Sequence, residues 1–199
     1  MFNVKNLFSK ALLALALTAS AGAVLAVPTT YHVNVDTTTL SGAGLLDLSF
    51  INSGATENAS AVLSNFTGSY GGVYDAVGAV SGNVASSVMF GNAAGDNYLT
   101  QIVNFGGMFG FDILFDFVAS DMETTFALNL YLPEFAGYAL GEGSLVTASL
   151  QSDGTIALGS STAFATVAPL AADVPEPGQW LLMLSGLLLL GAMVRRRSL

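Results

Sequence analysis

The chain has 199 residues, enough for one ordinary domain once targeting ends are set aside, and no cysteine, which excludes disulfides, thiolate metal sites and cysteine nucleophiles. Its formal net charge is −9, and its five cations sit only at the ends: Lys5 and Lys10, then Arg195, Arg196 and Arg197. A body without cations repels phosphate and anionic headgroups, which argues against nucleic acid as a partner and leaves phosphoryl transfer without its usual clamps.

The first element is a targeting segment. Met1 to Lys10 carries two lysines and no acid, Ala11 to Leu17 is the apolar run ALLALAL, and small residues follow to Ala26. That order is a secretory signal, with a basic start, an apolar core and a small-residue cleavage site. Cleavage is expected between Ala26 and Val27, since Val24 and Ala26 suit the small-residue positions; Ala21 and Ala23 offer a second site. An uncleaved anchor is the alternative. Residues 1–26 are thus read as a signal peptide with a signal helix, and the translocon and signal peptidase are the implied partners.

From Val27 to about Ala172 the pattern has period 2. Tyr31, Val33 and Val35 alternate with His32, Asn34 and Asp36, and Leu46, Leu48 and Phe50 alternate with Asp47 and Ser49. Further strands are predicted at Ser60 to Phe66, Val84 to Phe90 and Tyr98 to Asn104. Gly68 to Gly82 reads either as a long loop or as irregular strands. The clearest strand is Phe111 to Phe117, where Phe111, Ile113, Phe115 and Phe117 share a face and Asp112 and Asp116 point away. Phe126, Leu128, Leu130 and Leu132 repeat the pattern. Ser144 to Gln151 and Thr155 to Leu158 flank Asp153-Gly154, a hairpin-turn pair. About nine short strands with glycine-rich breaks predict an all-β domain over residues 27–172, an antiparallel β-sandwich with jelly-roll-like winding assigned by analogy. Phe111, Phe115, Phe117, Phe126 and Leu128 are expected to be buried, and Asp112 and Asp116 exposed.

The last element, residues 173–199, opens on Val174-Pro175-Glu176-Pro177, continues through the uncharged, leucine-rich stretch Trp180 to Val194, and closes on Arg195-Arg196-Arg197. Fifteen helical residues span about 22 Å at ~1.5 Å each, short of the ~30 Å hydrocarbon core, so a transmembrane helix here needs local thinning or reach from Trp180 and the arginines. The arginines should stay cytoplasmic, which places the acidic bulk outside.

This order of Pro-Glu-Pro, apolar helix and arginine cluster resembles the PEP-CTERM sorting signal of Gram-negative bacteria. The resemblance implies processing near Pro175, Glu176 and Pro177 by an exosortase-type membrane protease, which releases or transfers the cargo. Two prolines flanking Glu176 hold the chain extended and outside any helix, open to a protease. The alternative is a plain membrane anchor with a proline hinge. The body also resembles a group of small PEP-CTERM cargo proteins, through the Phe/Asp strand at 111–117, the strand Thr125 to Leu130 and the hairpin Leu145 to Ile156. That resemblance implies the architecture and the exported-cargo role, and no active site.

Chemistry in the body is sparse. His32 is the only imidazole and falls on the outer face of the first strand, where a solvated side chain is the simple expectation. Asp112 and Asp116 would stand about 13 Å apart on one strand face, beyond the ~5 to 9.5 Å of a glycosidase pair. Asp121 and Glu123 fall in an expected turn. Asp96, Asn97, Asp121 and Glu123 are candidates for calcium, without the spaced acidic loop that usually binds it. Asn58-Ala59-Ser60 and Asn65-Phe66-Thr67 match a glycosylation acceptor pattern, read as incidental. No catalytic residue, metal site or cofactor is assigned. The expected role is non-enzymatic: an exported surface or matrix protein linked with exopolysaccharide and biofilm. A carbohydrate- or calcium-binding module is the alternative, with a weak surface glycosidase third. Outward aromatics on one sheet would favour sugar binding, and Tyr70, Tyr74 and Tyr131 are the ones to follow.

Overall fold

The computed structural model describes residues 30–54, 58–93, 95–119, 124–141, 143–160 and 163–170. The predicted cleavage site at Ala26 and Val27, the motif Pro175 to Pro177, the apolar stretch 180–194 and Arg195 to Arg197 lie outside the described residues, as do Asp121 and Glu123. Among the described residues no helix is long and apolar enough to cross a membrane.

The described residues form twelve strands: β1 (Thr30–Asp36), β2 (Ala43–Asn52), β3 (Ala59–Thr67), β4 (Tyr70–Val77), β5 (Val80–Gly82), β6 (Ser87–Gly91), β7 (Tyr98–Asn104), β8 (Met108–Phe117), β9 (Thr124–Tyr131), β10 (Val146–Leu150), β11 (Ile156–Ser160) and β12 (Ala165–Pro169). They pair into two six-stranded antiparallel sheets, ordered β12-β1-β8-β3-β6-β5 and β11-β10-β9-β2-β7-β4. The chain stays in one sheet only from β5 to β6 and from β9 through β10 to β11, and changes sheet at every other step between consecutive strands.

One apolar core lies between the sheets. Val33, Leu63, Phe90, Phe111, Ile113 and Phe115 come from the first sheet, and Leu46, Leu48, Phe50, Val103, Phe126, Leu128 and Leu130 from the second. The Phe126 ring meets Phe111 edge-on at 6.4 Å and Phe115 at 6.1 Å, so aromatic contacts bridge the sheets. Side chains of period 2 can satisfy such a core only in one register, which is why β9 buries one parity and β2 does so from Leu46 to Phe50.

Of the two readings of Gly68 to Gly82, irregular strands is the one found: they form β4 and β5, divided at Gly78, whose φ of +80° suits the turn between them. Other elements depart from expectation. The predicted strand at Val84 starts later, at Ser87, because Asn83 caps a turn: its Oδ1 accepts from the amide of Ala85, and its carbonyl accepts from the amide of Ser86. The strand β12 has no counterpart among the expected ones. It lies on the sheet edge and ends at Pro169, a position where a missing N–H costs no ladder bond. Leu132 leaves the strand and is exposed, and Phe117 is only half-buried at the end of β8. At Asp153-Gly154 the expected hairpin is present; the amide and hydroxyl of Thr155 both donate to Asp153 Oδ1, at 2.9 and 2.6 Å.

Asp112 is the main correction. It is 8% exposed, whereas Asp116 is exposed as expected. The register sets Asp112 directly across from His32 of β1 and Ser64 of β3. Asn65 Nδ2 donates to its Oδ2 at 2.7 Å, and His32 Nδ1 lies 2.5 Å from Oδ1. A carboxylate can be buried when such partners replace its water. His32 is therefore an engaged side chain, not a freely solvated one.

Candidate functional site

The outer face of the second sheet carries a groove of about 410 Å³. Its floor is a cross-strand row in which Asp75 of β4 pairs with Thr100 of β7 and Thr100 with Asp47 of β2, and beyond the groove Asp47 pairs with Asn129 of β9. Alternation points these side chains outward while Leu46, Leu48, Leu99 and Val103 fill the core. Ser49 and Tyr98 form the next row, and Asp96, Ile51 and Phe135 complete the lining. The Thr100 hydroxyl donates to Asp47 Oδ1 at 2.8 Å, and Asn129 Nδ2 reaches Oδ2 at 3.5 Å. The Tyr98 hydroxyl donates to Asp75 Oδ2 at 3.3 Å.

Burial pushes the Asp47 carboxyl above the ordinary range, and the hydrogen bonds from Thr100 and Asn129 recover only part of that. With no Lys or Arg between Lys10 and Arg195, Asp47, Asp75 and Asp96 give the groove an uncompensated acidic floor. Such a floor accepts hydrogen bonds from hydroxyls and repels anions.

Aromatic rings rise along one side. After β9 the chain turns at Pro133–Phe135 and folds back, with the amide of Leu132 donating to the Gly137 carbonyl at 2.8 Å and that of Ala139 to Leu130 at 2.8 Å. Phe135 meets Tyr74 edge-on at 5.8 Å and Tyr131 at 5.0 Å, and Tyr131 stacks on Tyr138 at 4.9 Å. Tyr74, Phe135 and Tyr138 remain 50%, 46% and 41% exposed. Burial first, then the neighbouring Tyr138 and the charge of Asp47, push the Tyr131 hydroxyl up to about 12, so it stays protonated at neutral pH.

The turn that presents Phe135 is strained. Glu134 and Phe135 both have φ of +57°, the left-handed region that side chains other than glycine disfavour. Each such residue costs on the order of 1–3 kcal/mol and is found where surrounding structure enforces it. Here the strain holds a large ring half-exposed over the groove.

The aromatics singled out in the sequence divide. Tyr74 and Tyr131 join through Phe135 on the outer face. Tyr70 instead packs inside, against Phe66 at 5.7 Å and Phe109 at 5.4 Å. Phe135 and Tyr138 gave no period-2 signal, since they lie in a turn; the pair Pro133-Glu134 before an aromatic was the only local hint. Asp96 lines the groove, but Asn97 is fully buried and structural: its Nδ2 donates to the Phe50 carbonyl at 2.9 Å, and its Oδ1 accepts from the amide of Ala79 at 2.7 Å. Among the described residues no group of three His, Asp or Glu side chains is placed to hold a metal. Asn65 commits its amide to Asp112 at a bulge in β3, which explains its φ of +54° better than any role as a sugar acceptor.

Compared with known proteins, residues 173–197 match the model of the PEP-CTERM protein-sorting motif. No curated relative and no solved structure matches the chain.

Proposed function

We propose that this chain, which carries a PEP-CTERM protein-sorting motif at its C-terminal end, is exported cargo of an exosortase-type system. It enters the translocon through residues 1–26, loses them to signal peptidase, and is held in the inner membrane by residues 180–194 until the protease acts near Glu176. The product is a surface or extracellular-matrix protein, non-enzymatic and associated with exopolysaccharide and biofilm. The observation that carries this reading is the tail match itself, which implies export, C-terminal anchoring and processing.

The body suits such a role. The strand orders β1-β8-β3-β6 and β2-β7-β4 support a β-sandwich wound like a jelly roll, an architecture that folds without disulfides or metal. A non-enzymatic role is supported by the sparse chemistry of the body, which has one imidazole and no Lys, Arg or Cys between Lys10 and Arg195. A carbohydrate-binding module on the same scaffold is a second reading, favoured by the exposed rings of Tyr74, Phe135 and Tyr138.

Glu176→Ala tests the sorting route. The variant should be exported but stay in the membrane fraction at its longer mass, because the recognition element is lost while the anchor remains. A variant that reaches the medium at the wild-type mature mass overturns the reading.

A further inference from the structure

The geometry points to the groove beside Phe135 as a binding site for a neutral, pyranose-based polysaccharide, with Tyr74, Phe135 and Tyr138 as the stacking surface and Asp47, Asp75 and Asp96 as hydroxyl acceptors. The inference deepens the second reading above and rests on the domain reaching a compartment where such polymers occur.

Four rings form a continuous ridge, Tyr74 to Phe135 to Tyr131 to Tyr138, with successive centroids 4.9 to 5.8 Å apart. Three of them stay roughly half-exposed. Rings needed only for packing would be driven inward, as Tyr70, Phe66 and Phe109 are. A pyranose presents a face of C–H groups that stacks on an aryl ring, and a rim of hydroxyls that must find acceptors. The ridge provides the first and the groove floor the second, on adjoining surfaces, since Phe135 belongs to both.

Charge selects the class of polymer. The groove holds three carboxylates, and the chain has no Lys or Arg from residue 11 to residue 194. An anionic glycan would meet repulsion with nothing to offset it, whereas neutral hydroxyls donate to carboxylates without a counter-ion. The backbone at Phe135 is consistent with the assignment. It holds a left-handed φ of +57°, next to Glu134 at the same value, and the ring so displayed contacts solvent as well as its neighbours. Strain of this kind clusters at ligand-binding positions, and a glycine would have relieved it.

The test is co-sedimentation of the purified full chain, in detergent, with particles of cellulose, insoluble mannan and agarose as neutral probes and covalently cross-linked, calcium-free alginate beads as the anionic one. Wild type should be retained by at least one neutral probe and not by alginate. Phe135→Gly is the decisive variant: it suits the left-handed backbone and should keep the thermal transition, yet weaken retention by about tenfold or more through loss of the stacking ring. Tyr74→Ala should weaken it likewise. Retention by no neutral probe, retention by alginate alone, retention that requires added calcium, or Phe135→Gly and Tyr74→Ala variants that bind like wild type each overturn the inference. Processing is read separately by fractionation, so a cargo that is cut but does not bind fails here alone, and one that binds but is not cut fails only the sorting reading.

Discussion

His32 on β1 and Asp112 on β8 stand opposite each other in register, and the imidazole Nδ1 lies 2.5 Å from the carboxylate Oδ1. With Asn65 from β3 on the other oxygen, this one carboxylate links three adjacent strands of the first sheet. Burial by itself pushes Asp112 up, but the Asn65 amide and the His32 ring outweigh it and hold the carboxyl below the ordinary range. Asp112→Ala strands both partners and should cost about 1.5–3 kcal/mol in denaturant unfolding, the range for hydrogen bonds to a charged group.

The same site has a signed pH dependence. A carboxyl with a depressed folded-state pKa stabilises the fold above its unfolded value, and that contribution is lost as pH falls through the folded one. Wild type and Asp112→Asn should therefore differ most near neutrality, and the difference should shrink as pH drops from about 5 toward 2. Asp36 and Asp153 are also lowered, by hydrogen bonds from Thr38 and Thr155, but they are common to both proteins and cancel in the comparison. A difference that grows on acidification would contradict the assignment.

Tyr70 buries a hydroxyl with no partner between Phe66 and Phe109. An unsatisfied buried polar group costs about 1–3 kcal/mol, so Tyr70→Phe should raise stability by some part of that while keeping the ring contacts. A lower midpoint in urea would show that the hydroxyl is bonded after all.

Asp47 has the opposite sign to Asp112. Its raised carboxyl means that ionisation opposes folding from about pH 4 upward, with the full cost above the folded-state value. Asp47→Asn should equal or exceed wild type in thermal stability at pH 7, with the advantage vanishing in acid. A stability cost at pH 7 would mean that the charged form is the one the fold prefers. The expected gain fits a site in which function, not stability, keeps a carboxylate at the groove floor.

Much of the fold was legible because one rule wrote it. Phe111, Phe115, Phe126 and Leu128 obey period 2 and are all buried, and the two-sheet arrangement follows from them. The rule fails where a side chain's environment comes from neighbours distant in sequence. Asp112 has outward parity, yet β1 and β3 close over it with His32 and Asn65, and no local pattern announces that. β4 and β12 were obscured for another reason: glycine, alanine and proline dilute the alternation, and bulges at Tyr70/Val73 and Val73/Asp75 shift it. The candidate site was half-legible. Tyr74 and Tyr131 are aromatic and strand-borne, whereas Phe135 reaches the groove only through a left-handed turn.

Intact mass of the protein recovered from the medium of its native host tests the central claim most directly, because one number reads both ends. The account predicts a chain that begins at Val27 and ends near Pro175-Glu176-Pro177, without the apolar stretch or Arg195 to Arg197. A secreted protein whose mass still includes the three arginines would contradict it.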